Sequence, residues 1–325
     1  MASRLGGATL SSFTDAASIA RTAWMHGLAY HRIFSQGLKN LNPLDASDRE
    51  LARSVGLGIE EMLASMNRYN DDGLTTTATV AGKVAKYSNA AASAVMRASG
   101  LNALTAARKQ AFSMMLMDKY GKLSRSKAWK DLEADDRSFL ESTGITEQDW
   151  QIWQKATPLE RSNGSMILSA RDIMAIKDLP LSVREQAATR YMAHILDEQG
   201  MAVIEAGARE RAKMYGYLQK GTWTGEIGRS MLQFKSFTAA LMMRHGARMM
   251  GQEGVWGKAA YGVPLFVMMS LLGGLQQQLK EIAQGNDPQD MTQTDFYMNA
   301  VLAGGSLGVY GDIFKAGMKP DGRGA

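Results

Sequence analysis

At predicted helix starts along this chain a hydroxyl residue stands three positions ahead of a carboxylate: Ser47 with Glu50, Thr146 with Asp149, Ser182 with Glu185, and Thr292 with Asp295. This is the spacing of a capping box, in which the hydroxyl and the carboxylate each satisfy a backbone N–H at a helix start. A chain that opens helices so often has little room for a sheet. The six prolines (Pro43, Pro158, Pro180, Pro264, Pro288 and Pro320) fall at or near breaks in the apolar periodicity, where a missing N–H costs least. The pattern predicts helices near 13–39, 47–69, 75–99, 102–120, 131–142, 147–155, 182–214, 223–251, 258–284 and 293–316. Only "SMILSARDIMAI" (165–176) alternates in a way that suits strands. The expected fold is therefore all-α: an irregular multi-helix bundle with long C-terminal helices and at most a small β-hairpin near 165–176.

Sequence character changes near residue 180. Residues 1–180 read as an amphipathic helical region with acidic connectors such as "DLEADD" (131–136). Residues 181–325 read as a region of longer helices, as a second domain or as the continuation of one. The hydrophobic content of 45% and charged content of 21% are those of a folded chain. Cysteine is absent, which removes disulfides, thiol nucleophiles and cysteine-ligated metals. The N-terminus lacks the continuous apolar core of a secretory signal, so synthesis in the cytoplasm without Sec-type export is expected.

Charge is unevenly placed. From Ile204 to Ala260 nine basic residues face four acidic ones, which accounts for the whole net charge of +5. Such a stretch is either a solvated helix face or a contact for DNA or an anionic surface, through Arg229, Lys235, Arg244 and Arg248. Lys235 is flanked by Phe234 and Phe237, which are either core residues of one helix or aromatic anchors of an interface.

Two stretches carry no charge: the 21 residues between Lys258 and Lys280, and the 16 between Asp295 and Asp312. The first is about as long as a bilayer core is thick if helical. However, Pro264, Gly273, Gly274 and Gln276 to Gln278 confine its strongly apolar part to Val263 through Leu275. A buried or interfacial helix suits that length better than a span, and insertion of 259–279 with 296–311 as a helical hairpin stands as the alternative.

The glycines of "NAVLAGGSLGVYGDIFKAG" (299–317) follow a predicted helix rather than a strand, and no Walker lysine accompanies them. Gly304 and Gly308, four apart, instead form a small face that lets a second helix approach closely. The four histidines lack ligand spacing: His26 and His31 are five apart, and His194 and His245 stand alone. Neither a nucleophile elbow nor a zinc-helix motif is present, so no catalytic, cofactor or metal residue is expected. The 23 methionines serve as core filler or as adaptable packing for assembly.

Several stretches resemble one family. "GTWTGEIGRSMLQFKSFTAALMMRHGARMM" (221–250), "LQQQLKEIAQGNDPQDM" (275–291) and "AVLAGGSLGVYGDIF" (300–314) are similar, in this order, to the C-terminal helical region of large polyvalent phage proteins. The large internal virion, or ejection, proteins of tailed phages share that resemblance. "ASGLNALTAARKQAF" (98–112) and "GITEQDWQIWQ" (144–154) extend it upstream. The resemblance implies a non-catalytic helical module, carried in the virion and transferred to the host cell envelope with the DNA. Expected partners are other virion proteins or the rest of a larger chain, non-specific DNA, the host inner membrane, and further copies of the chain. At 325 residues the chain is short for that family, as a fragment would be.

Overall fold

The structure, a computed structural model, describes residues 15–40, 101–204, 222 and 240–303. In chain order it contains α1 (Asp15–Met25), α2 (Tyr30–Asn40), α3 (Leu101–Ser126), α4 (Ala134–Ser142) and α5 (Glu147–Lys155). There follow β1 (Leu159–Glu160), β2 (Met166–Ile167), α6 (Ala170–Met174) and α7 (Leu181–Ala202). A π-helical turn (Met242–Gly246) then leads into α8 (Ala247–Met250), α9 (Gly254–Ala283) and α10 (Thr294–Ala303). Among the described residues the fold is all-α with one two-stranded antiparallel hairpin. The predicted helices at 47–69 and 75–99, with Ser47 and Glu50, lie outside the described residues.

Local chemistry explains where these elements match expectation and where they depart. The Thr146–Asp149 capping box forms in full and opens α5 where the spacing places it. A second box, Ser169–Asp172, opens α6 inside the stretch expected to be strand, so the hairpin lies earlier, at 159–167. Ser182 does not cap α7, because the Pro180 carbonyl already accepts from the amides of Val183 and Arg184 and starts the helix ahead of it. Thr292 does not cap α10 either: its N–H and hydroxyl both donate to the Asp290 carboxylate two residues back. The single helix expected over 13–39 is two, separated by a turn in which Leu28 N–H donates to Ala23 O and Gly27 adopts φ +61°. That is a glycine-dependent helix stop. The helix expected over 182–214 ends at Ala202, and the β-branched Val203 and Ile204 beyond it are buried outside helical geometry.

Internal contacts divide the chain into residues 23–200 and residues 1–22 with 201–325. The first unit is built on Trp150, Trp153, Tyr191, Phe112 and Leu116, all fully buried. Trp153 meets Tyr191 edge-on at 4.9 Å, and Trp150 donates its indole N–H to Lys127 O at 3.2 Å. Truncating either tryptophan to alanine costs about 3–5 kcal/mol. The hairpin docks on α3, where Asp118 accepts from Met166 N–H at 2.7 Å and Met117 O from Leu168 N–H at 3.3 Å. Gly121 makes this approach feasible, since a β-carbon there would stand 1.9 Å from Met166 O. Methionines 114 and 117 fill this core, as Met269 fills the other, whereas Met242 and Met250 are exposed.

Candidate functional site

In the second unit α9 and α10 pack as a helical hairpin. The connecting loop is closed by Gln278, whose side chain donates to Gln289 O and accepts from Gln289 N–H, both at 2.8 Å. Gln289 and Asn286 also donate to the Glu281 carboxylate. The helices meet at Gly274, where a β-carbon would lie 3.1 Å from Phe296 Cζ and 3.3 Å from Ala300 Cβ. Among the described residues, the close approach is thus made by Gly274 and Ala300.

Helix α9 runs unbroken through Pro264 for 30 residues. Proline has no N–H, so the carbonyl four residues earlier, that of Ala260, loses its helical donor. Arg21 replaces it. Its Nη2 donates to Ala260 O at 3.3 Å and its Nε to Tyr261 O at 3.2 Å. The guanidinium also covers the Tyr261 ring at 4.4 Å from the centroid. Burial pulls the Arg21 pKa down, and the neighbouring Tyr261 acts in the opposite direction. The Tyr261 hydroxyl lies 2.7 Å from His245 Nδ1, and His245 Nε2 lies 2.9 Å from Met201 O. A carbonyl only accepts, so Nε2 carries the proton, and in the neutral ring Nδ1 accepts from Tyr261. Arg21, Tyr261, His245 and Met201 therefore tie four segments of this unit together.

This anchoring selects which side of α9 is buried. Tyr261, Leu265, Met269 and Gly273, at spacings of four, are buried. Offset by two residues, or about 200° around the helix, Val263, Val267, Leu271 and Leu275 are 58%, 46%, 68% and 47% exposed. Both stripes are apolar, but only one is covered. Phe266 adds to the open side, and Trp256 at the start of α9 is 88% exposed. Beside the stripe the Ser270 hydroxyl donates to Phe266 O at 2.9 Å within its own helix. No charge interrupts 259–279, and Lys258 and Lys280 bracket it.

The residues singled out from the sequence are only partly in view. Arg244 sits in the π turn and Arg248 in α8, both half-buried and both engaged within the chain. Arg229, Lys235, Phe234, Phe237, Gly304 and Gly308 lie outside the described residues. Three histidines are held structurally, His245 as described, His26 with Nε2 2.9 Å from the buried Glu198 carboxylate and His194 with Nε2 2.8 Å from the Tyr120 hydroxyl, whereas His31 is exposed. Among the described residues no group of three potential ligands could hold a metal. Sequence reasoning missed Arg21 altogether. Pro264 was the available signal, since a proline inside an apolar run implies an orphaned carbonyl and a donor somewhere to meet it. No family model, curated protein or solved structure matches this chain.

Proposed function

We propose that this chain is a non-catalytic helical module of a large phage or prophage virion protein of the ejection or polyvalent type. In this reading the α9–α10 hairpin is the part that meets the membrane of the host envelope. The phage assignment rests on the ordered resemblance of residues 221–250, 275–291 and 300–314. The membrane role rests on one observation, the uncovered apolar stripe of α9. Among the described residues α9 is the one helix long and apolar enough to cross a bilayer, and only 28% of its most apolar stretch is buried.

Burying a Val or Leu side chain completely is worth about 1.5–3 kcal/mol, so four half-exposed residues together offer several kcal/mol to an apolar partner. A bilayer takes up such a stripe without shape complementarity. The basic stretch that includes Arg244 and Arg248 supplies a second, sequence-independent attraction, to DNA or to anionic headgroups. The rest of a larger virion chain, or neighbouring virion proteins, would position the module.

Flotation on a density gradient with anionic liposomes tests the membrane role. The chain is expected to rise with the vesicles in both low and high salt, because burial of the stripe is not electrostatic. A chain left at the bottom under both conditions would refute it. The phage assignment is tested by the genomic neighbourhood, where portal, capsid or tail genes are expected beside the coding sequence.

A further inference from the structure

Resting on that membrane reading, we infer that α9 lies in the plane of a single anionic leaflet, embedded by the stripe Val263–Val267–Leu271–Leu275, and does not cross the bilayer. The opposite stripe is already committed. Tyr261 is held by Arg21 and His245, Leu265 and Met269 are buried, and Gly274 receives Phe296 and Ala300 of α10. A crossing helix would either present this side to lipid, breaking the Arg21 bonds, or carry the Arg21 guanidinium with it into hydrocarbon, where unsatisfied and charged groups are costly.

An in-plane helix needs only the side that is already open, where the Ser270 hydroxyl donates back to Phe266 O. Length points the same way: the strongly apolar part, Val263 through Leu275, makes about 20 Å of helix, short of a hydrocarbon core of about 30 Å. The charges suit an anionic surface. From Arg244 to Ala283 four cations stand against Glu253 and Glu281, with none inside the stripe; Arg244 and Arg248 also make contacts within the chain, and Lys258 and Lys280 bracket the stripe. Lys280 is exposed and Lys258 half-buried.

Because the chain has no cysteine, single-cysteine variants report position cleanly. The full chain carrying an environment-sensitive fluorophore at residue 263, 267, 271 or 275 is bound to zwitterionic vesicles containing a minority of phosphatidylglycerol. Depth is then read with lipids quenched at the headgroup, mid-chain or tail. In-plane embedding gives all four labels one shallow depth, about 5–10 Å below the headgroups. A depth gradient approaching about 18 Å from 263 to 275 would overturn the in-plane inference and leave the membrane reading standing. Failure to float would sink both.

Labels that stay in water on floating vesicles would remove the stripe as the lipid site. Labels already shielded before vesicles are added, in proportion to protein concentration, would make a second copy of the chain the occupant and overturn the inference. Leu271→Asp, at an exposed position and with helicity checked by circular dichroism, should lower vesicle partitioning at least tenfold. Lys280→Glu should weaken binding to anionic vesicles about fivefold or more while sparing neutral ones; equal loss on both would remove the anionic preference.

Discussion

Arg21 donates from Nη2 to the carbonyl of Ala260 at 3.3 Å, supplying the hydrogen bond that Pro264 cannot give. A side chain 239 positions away thus completes the backbone of the helix on which the candidate site is built. This relationship makes the first prediction a coupling. Arg21→Met leaves the part-buried Ala260 carbonyl without its donor, and losing a typical hydrogen bond costs about 0.5–1.5 kcal/mol. Pro264→Ala restores the missing N–H, so Arg21→Met should cost measurably less in that background. A double-mutant cycle by denaturant unfolding reads the difference directly. Strictly additive losses would mean that Arg21 acts only through its other contacts.

Gly274 sets the spacing of the hairpin. Its β-carbon would meet Phe296 at 3.1 Å and Ala300 at 3.3 Å, so alanine needs only a small yield from the Phe296 ring. The helix-propensity gain of Gly→Ala, up to about 1 kcal/mol, offsets that squeeze. Leucine has no such room and should cost about 1–3 kcal/mol. Melting temperatures are expected to stay near wild type for Gly274→Ala and to fall for Gly274→Leu. Tolerance of leucine would mean that the two helices part easily.

At Gly121 the expectation is harsher. A β-carbon there would be 1.9 Å from the Met166 carbonyl oxygen, which is backbone and cannot rotate aside. Gly121→Ala should destabilise the unit formed by residues 23–200 by at least the upper end of the overpacking range, about 3 kcal/mol. Hydrogen exchange should locate the loss at α3 and the hairpin. An unchanged unfolding midpoint would contradict this packing.

Tyr191 gives a pH dependence. Its hydroxyl is fully buried and donates to Leu168 O, and burial, aided by the nearby Asp172 carboxylate, raises its pKa well above the ordinary value of 10.0. The unfolded chain therefore releases this proton first, so the stability that Tyr191 contributes is intact below pH 10 and declines as pH rises beyond it. Tyr191→Phe should lower stability at neutral pH by about 1–3 kcal/mol, through the orphaned carbonyl. It should also flatten the decline above pH 10 in urea unfolding. Parallel alkaline profiles for the two proteins would discount the shift.

The basic stretch should bind DNA weakly, without sequence preference, and with an affinity that falls steeply as salt rises, because each phosphate contact releases counterions. Charge reversal at Arg229, Lys235, Arg244 and Arg248 together should abolish retention on DNA at low salt. Retention unchanged by all four substitutions would reduce the stretch to a solvated face. Arg244→Glu and Arg248→Glu should also disturb folding, since both residues make contacts within the chain.

Helix content, and those helix ends set by neighbours a few residues apart, were determined by the sequence alone. Thr146 and Asp149 cap α5 because both partners lie within one turn and nothing nearby competes. Where a competitor does stand close, as Pro180 does for Ser182 and Asp290 for Thr292, the same spacing yields no cap. Long-range polar pairing was not legible. The His26–Glu198 contact spans 172 positions and leaves no local pattern. Nor could periodicity find the buried face of α9, because Tyr261, Leu265, Met269 and Gly273 are no more apolar than Val263, Val267, Leu271 and Leu275. Only the tertiary structure decided between them. Arg21 and His245 bind the Ala260–Tyr261 end of the helix by hydrogen bonds that fix its rotation, and the stripe opposite is left open because one helix cannot bury both sides against the same neighbours.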